Sequence, residues 1–142
     1  MLTQQQHLLV INITESLLGM SSKPEWTKAR RHSFIVSVLR SGTRKYPPKY
    51  ETLNEAKTEK KVNPKTNRIA QHFLCKECDK DFPAKDVQVD HVNPVVSSSG
   101  FTTWDSFIEN LYCGKDNLQV LCTECHNIKT KKESSERKSK RL

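Results

Sequence analysis

The chain has 142 residues, 35% hydrophobic and 28% charged, which leaves room for one domain with a modest core and an appended arm. Its 24 Lys and Arg against 16 Asp and Glu give a net charge of +8, a balance that favours a polyanionic partner. The apolar stretch from Leu8 to Ile13 is too short to span a bilayer, follows three glutamines and lacks a small-residue cleavage site, so neither an anchor nor an export signal is expected and a reducing cytoplasm is the expected location.

In chain order, Leu9, Ile13, Leu17 and Met20 recur at helical spacing and predict a first helix. Ser22-Lys23-Pro24-Glu25 resembles a capping box with proline in the first turn of a second helix, which runs to about Arg40 with Gly42 beyond its end. Pro47-Pro48 forces a break, and Glu51 to Lys61 is expected to form a short third helix. Residues 1–74 are therefore read as an α-helical arm. From Trp26 to Tyr50 there are seven basic residues and no acid. Of these, Arg30, Arg31, Arg40, Arg44, Lys45 and Lys49 are candidate DNA contacts. Tyr46 and Tyr50 have the chemistry to stack on bases, although packing against the arm is the expected use.

Four cysteines then form two CxxC pairs, Cys75-Lys-Glu-Cys78 and Cys122-Thr-Glu-Cys125, separated by 43 residues. A two-residue spacer lets a short turn aim both sulfurs at one ion, and two such pairs make a tetrahedral structural zinc site. A thioredoxin-like redox pair would need a βαβ pattern that is not evident. Cys113, the fifth cysteine, is read as a small buried apolar residue.

Between the pairs, Val87, Val89 and His91 alternate with Gln88, Asp90 and Val92 in the period of a strand, and Leu118 with Val120 suggests a second. Trp104, Phe107, Ile108, Leu111 and Tyr112 share one helical face, a core stripe, with Thr102 and Asp105 as its cap and Gly114 as its end. A last helix begins near Thr123 or Glu124 and carries Cys125 and His126 in its first turn. Residues 133–142 are read as a basic, disordered tail, and Lys129 and Lys131 join the candidate DNA contacts.

This order of elements brings Asp90 and His91 beside His126. Neighbouring residues of a regular strand face opposite ways, so both address one phosphate only where the strand ends, and Pro94 supplies a reason for it to end there. Asp90 and His126 are candidate ligands of a catalytic divalent cation, leaving positions open for water and phosphate. His91 remains free as a general base, since imidazole titrates near neutrality. Asn117 suits holding the loop and the imidazole in place.

Residues 75–132, carrying the segments VQVDHVNPV, KDNLQVLC and CTECHNIKTKK, resemble the HNH endonucleases, closest to small phage-type members with two CxxC pairs. The stretch from Val38 to Lys49 is similar, more loosely, to an N-terminal segment of those proteins. The resemblance implies an α+β fold with a ββα-metal core stabilised by a four-cysteine zinc site. It also implies metal-dependent hydrolysis of DNA to 5′-phosphate and 3′-hydroxyl ends. Asp90 and His126 would match the metal positions, His91 the base and Asn117 the middle Asn. Some members place another His one turn after the last, where this chain has Thr130; Mg²⁺ or Mn²⁺ then suits the site better than a catalytic Zn²⁺. The expected partner is double-stranded DNA, in the cytoplasm of a bacterial host if phage-encoded, alongside packaging or replication proteins; one active site in one chain favours a monomer that nicks one strand, with a dimer cutting both strands as the alternative. The rival reading is a zinc-stabilised DNA-binding module without catalysis, such as a regulator or packaging accessory.

Overall fold

The computed structural model describes residues 3–5 and 25–140. The helix expected around Leu9 to Met20 and the capping residues Ser22 to Pro24 lie outside them. Residues up to Val36 and residues from Ser37 onward form two compact units. The first helix described, α1 (Lys28–Gly42), buries no side chain. It starts later than the sequence suggests. Thr27 caps it, accepting from Arg30 N at 3.2 Å through its hydroxyl and from Arg31 N through its carbonyl. Gly42 belongs to the helix instead of following it, and a 3₁₀ turn (Thr43–Lys45) continues from it.

Pro47 and Pro48 do break the chain, and they also open α2 (Pro47–Glu55), because proline in the first turn gives up no helical hydrogen bond. The helix expected over Glu51 to Lys61 is thereby corrected: it ends at Glu55, and the next residues are extended. β1 (Lys57–Asn63) and β2 (Arg68–Leu74) form an antiparallel hairpin, joined by the short β3 (Asp81–Pro83) in a three-stranded sheet. The region 1–74 is thus not helical throughout. Asn67 takes the left-handed conformation at the hairpin turn (φ 53°), which asparagine tolerates better than most residues. Lys61 on β1 pairs with Asp81 on β3 at 2.5 Å, across the sheet.

A second, two-stranded sheet pairs β4 (Val87–His91) with β5 (Leu118–Cys122), with Val89 opposite Val120 and His91 opposite Leu118. The intervening chain carries α3 (Trp104–Leu111), whose Phe107 and Leu111 are buried. Ile108, expected on the same buried stripe, is 41% exposed. The cap is Thr103, one residue later than expected, accepting from Ser106 N at 3.2 Å. Gly114 is extended, leading into the turn before β5 without capping α3. The final helix, α4 (Thr123–Ser139), runs through the region expected to be a disordered tail.

The helices at 37–55 are tied to α3 by two tyrosines. Tyr46 Oη donates to the carbonyls of Tyr112 and Cys113, both at 2.9 Å, and Tyr112 Oη donates to Leu39 O at 2.6 Å. The two rings meet edge to face at 5.2 Å between centroids. Tyr46 therefore packs, as expected, while Tyr50 donates to Arg44 O and stays half exposed. Among the described residues no helix is long and apolar enough to cross a membrane.

Candidate active site

The metal-binding pattern begins with the two cysteine pairs. Cys75 and Cys78 sit in a turn after β2, closed by Cys75 N on Lys80 O at 2.9 Å and Asp79 N on Cys75 O at 3.0 Å. Cys122 ends β5 and caps α4, and Cys125 lies in the first helical turn. The four sulfurs lie within 4.8 Å of one another, the arrangement that a tetrahedral thiolate-bound ion such as zinc requires. Cys75 is fully buried and the surrounding cluster adds Leu121 and Phe82.

Burial opposes the Cys75 thiolate, but backbone N–H groups of Cys122, Cys78 and Glu77 outweigh it and bring the thiol down to about 7. The Cys125 thiol is pushed up, first by the Cys122 sulfur and then by burial and the sulfurs of Cys75 and Cys78. Sulfurs this close cannot all ionise without a cation among them, which suits a site built for one. Cys113 stands outside the cluster and is half-buried instead of buried.

His91 is the last residue of β4. Its Nε2 lies 3.0 Å from Leu111 O. A carbonyl can only accept, so Nε2 carries the proton and Nδ1 keeps the lone pair. Asn117 holds the chain that follows: its carbonyl accepts from Val92 N and its Oδ1 from Asn93 N, both at 2.9 Å. Its Nδ2 points back to Asn93 O at 3.5 Å. The strand ends at this clamp. Asp90 and His91 line one cleft of about 210 Å³ with Arg40, Thr43, Tyr46 and Lys49.

Asp90 also faces α4. Its Oδ1 lies 3.8 Å from His126 Nε2, and its Oδ2 lies 2.9 Å from Lys129 Nζ. Asp90 Oδ2 and His126 Nδ1 are buried without a hydrogen bond, so the lysine contact is an ion pair outside hydrogen-bond alignment. Buried polar atoms are nearly always bonded. Asp90 Oδ1 and His126 Nε2, facing each other at a distance too long for a hydrogen bond, form an O/N donor pair that would suit Mg²⁺ or Mn²⁺. His126 is not itself on the cleft wall; Asp90 links it to the cleft.

Among the basic candidates, Arg40 and Lys49 line the cleft, and Arg40 also lies 5.8 Å over the Phe107 ring. Arg44, Lys45 and Lys131 are exposed. In the first compact unit Arg31 is exposed, while Arg30 bonds Glu25 O at 3.3 Å and covers the Trp26 ring at 5.6 Å. Lys129 is the departure. Its ammonium is turned inward on His91 O, Glu133 and Asp90. Burial works to lower its pKa, yet the hydrogen bond to Glu133 and the ion pair with Asp90 outweigh that and hold it above the usual lysine range.

Sequence reasoning missed the hairpin. Residues 57–68 carry Lys57, Lys60, Lys61, Lys65 and Arg68 against Glu59, and Lys61 and Lys65 are paired with Asp81 and Asp86. Lys57, Lys60 and Arg68 are exposed. A local charge count would have found this cluster inside a segment whose overall balance is acidic.

Residues 75–132 match the family described as HNH endonuclease. No curated protein and no solved structure matches the chain. The match spans both CxxC pairs, Asp90, His91, Asn117 and His126, and it indicates nuclease-type function for this stretch.

Proposed function

We propose that the HNH domain at 75–132 makes this protein a metal-dependent DNA endonuclease. The observation that carries the reading is His91 with a free Nδ1 in the same cleft as Asp90, which backs onto His126. In this reading Nδ1 takes a proton from water as the oxygen attacks phosphorus. The P–O3′ bond breaks, and solvent protonates the leaving oxygen, giving 5′-phosphate and 3′-hydroxyl ends. Asp90 and His126 hold the divalent cation, Mg²⁺ or Mn²⁺, which when bound supplies positive charge for the phosphate and the leaving oxygen. Asn117 keeps His91 at the strand end by clamping the two residues that follow it.

Arg40 and Lys49 give the cleft a positive wall for the DNA backbone, and the exposed cations of the hairpin and of α4 extend it. Zn²⁺ on Cys75, Cys78, Cys122 and Cys125 joins β5 and α4 to the turn after β2 and stabilises a small core. One such site in one chain favours a monomer that nicks a single strand.

The test is conversion of supercoiled plasmid by protein freed of divalent ions other than zinc, with Mg²⁺ or Mn²⁺ restored, beside His91→Ala. Metal-dependent nicked circles from the wild type alone support the reading. Tight binding with no cleavage of plasmid or of a native substrate library would replace it with the zinc-stabilised binding module.

A further inference from the structure

The Lys129 ammonium occupies an unusual position for a lysine on a DNA-binding helix. His126, Lys129 and Glu133 fall at i, i+3 and i+7 on α4, so one helix face presents all three to the end of β4. Lys129 Nζ donates to His91 O at 2.8 Å and to Glu133 Oε1 at 2.5 Å, and it lies 2.9 Å from Asp90 Oδ2. The side chains of Lys129, Asp90 and Glu133 are only 23%, 17% and 21% exposed. Water and salt screen charges weakly at such depth. The ammonium therefore acts strongly on whatever cation approaches Asp90, and Glu133 with the His91 carbonyl keeps it from swinging away.

We propose that Lys129 sets which divalent ions the Asp90–His126 pair accepts, by guarding Asp90 Oδ2 and leaving Oδ1 as the single oxygen offered to the metal. The proposal rests on reading Asp90 and His126 as metal ligands. Oδ1 is the oxygen that faces His126, whereas a dication on Oδ2 would meet a like charge. A carboxylate restricted to one oxygen suits a small octahedral ion that keeps several waters, as Mg²⁺ and Mn²⁺ do. Ca²⁺ takes more oxygens and gains from a bidentate carboxylate, so it is disfavoured. Lys129 thus touches neither substrate nor metal in this account; it positions Asp90. A purely structural role, pinning α4 to β4, would lower stability on substitution and leave ion preference unchanged.

The experiment is calorimetric titration of zinc-loaded protein with Mn²⁺ and with Ca²⁺, for wild type, Lys129→Met, Lys129→Arg and Glu133→Gln, with thermal melting of each. Lys129→Met removes a like charge beside the site and is expected to bind Ca²⁺ about tenfold more tightly and Mn²⁺ with a smaller gain, so that the Mn²⁺ over Ca²⁺ preference collapses. Lys129→Arg, which keeps the charge, should retain the wild-type preference, and Glu133→Gln should shift it part of the way. A folded Lys129→Met with wild-type preference overturns the proposal. If that variant does not fold, Glu133→Gln decides, and an unchanged preference there overturns it equally. Wild-type Mn²⁺ binding that survives Asp90→Ala would instead sink the assignment of Asp90 as a ligand, a separate failure from an unaltered Lys129→Met on a site that does require Asp90.

Discussion

His91 Nε2 is bonded to the carbonyl oxygen of Leu111, the last residue of α3, at 3.0 Å. The bond sets the ring's tautomer and so decides which nitrogen can take a proton. It also gives the long excursion between β4 and β5 a chemical purpose, since α3 ends where the carbonyl is needed.

His91→Ala is expected to lower turnover by about 10²- to 10⁴-fold, the usual worth of a positioned base. DNA affinity, measured by fluorescence anisotropy in Mn²⁺, and zinc content should stay at wild-type levels. Near wild-type turnover in the variant would remove His91 from the chemistry.

Asn117→Ala leaves Asn93 N without its acceptor and loosens the chain after β4, while Val92 N keeps its bond to the carbonyl of residue 117. One backbone-to-side-chain bond is worth about 0.5–1.5 kcal/mol, so urea denaturation should show a small loss. The turnover number should fall further than that loss suggests, with KM little changed, because the clamp orients His91. Weakened DNA binding with an unchanged turnover number would assign Asn117 to DNA contact.

Cys75→Ser or Cys122→Ser should remove the metal and the fold together, since both sulfurs are buried in the cluster. Elemental analysis is expected to give one zinc per wild-type chain. A zinc-free wild-type protein that melts cooperatively would contradict the structural-metal assignment.

Gly42→Ala sets two effects against each other. Alanine in a helix ordinarily gains about 0.5–1 kcal/mol over glycine, but a Cβ at Gly42 would overlap Tyr112 Oη. Displacing that hydroxyl costs its bond to Leu39 O and about 1–3 kcal/mol of overpacking, so the variant should be destabilised. In a Tyr112→Phe background the obstruction shrinks, and the same substitution should become neutral or stabilising by thermal melting. Equal effects in both backgrounds would show that Tyr112 is not the cause.

Lys61, by its hydrogen bond, holds the Asp81 carboxyl below its ordinary value of 3.8, with Thr58 adding to the effect. A depressed folded pKa contributes stability that is present above the unfolded value and lost as pH falls through the folded one. The link between β1 and β3 should therefore weaken only below about pH 4. Asp81→Asn should reduce stability at pH 7 and flatten its acid dependence. Identical acid profiles for variant and wild type would exclude the pair as a contributor.

Much of the stretch from residue 75 to 132 was legible beforehand because its signals are local. CxxC spacing dictates a turn, alternation through Val87, Val89 and His91 dictates a strand, and the apolar stripe over Trp104 to Leu111 dictates a helix. The arm was less legible. Lys57 to Asn63 contains lysines and a glutamate that suit helix or edge strand equally, and only pairing with Arg68 to Leu74 selects the strand. The acidic total of the central segment hid the basic hairpin, and charge in 133–142 suggested disorder where α4 continues to Ser139.

Residue identity and order alone determined the four-cysteine cluster, the ββα succession and the candidacy of Asp90, His91, Asn117 and His126, since each depends on spacing over a few bonds. The tertiary structure decided which His91 nitrogen is free, that Arg40 and Lys49 line the cleft, and that Lys129 turns to Asp90 instead of outward. Those outcomes depend on how α3 and α4 pack against the end of β4. A side chain's partner is set by burial and by which acceptors packing brings within hydrogen-bond reach, and no spacing rule along the chain encodes that.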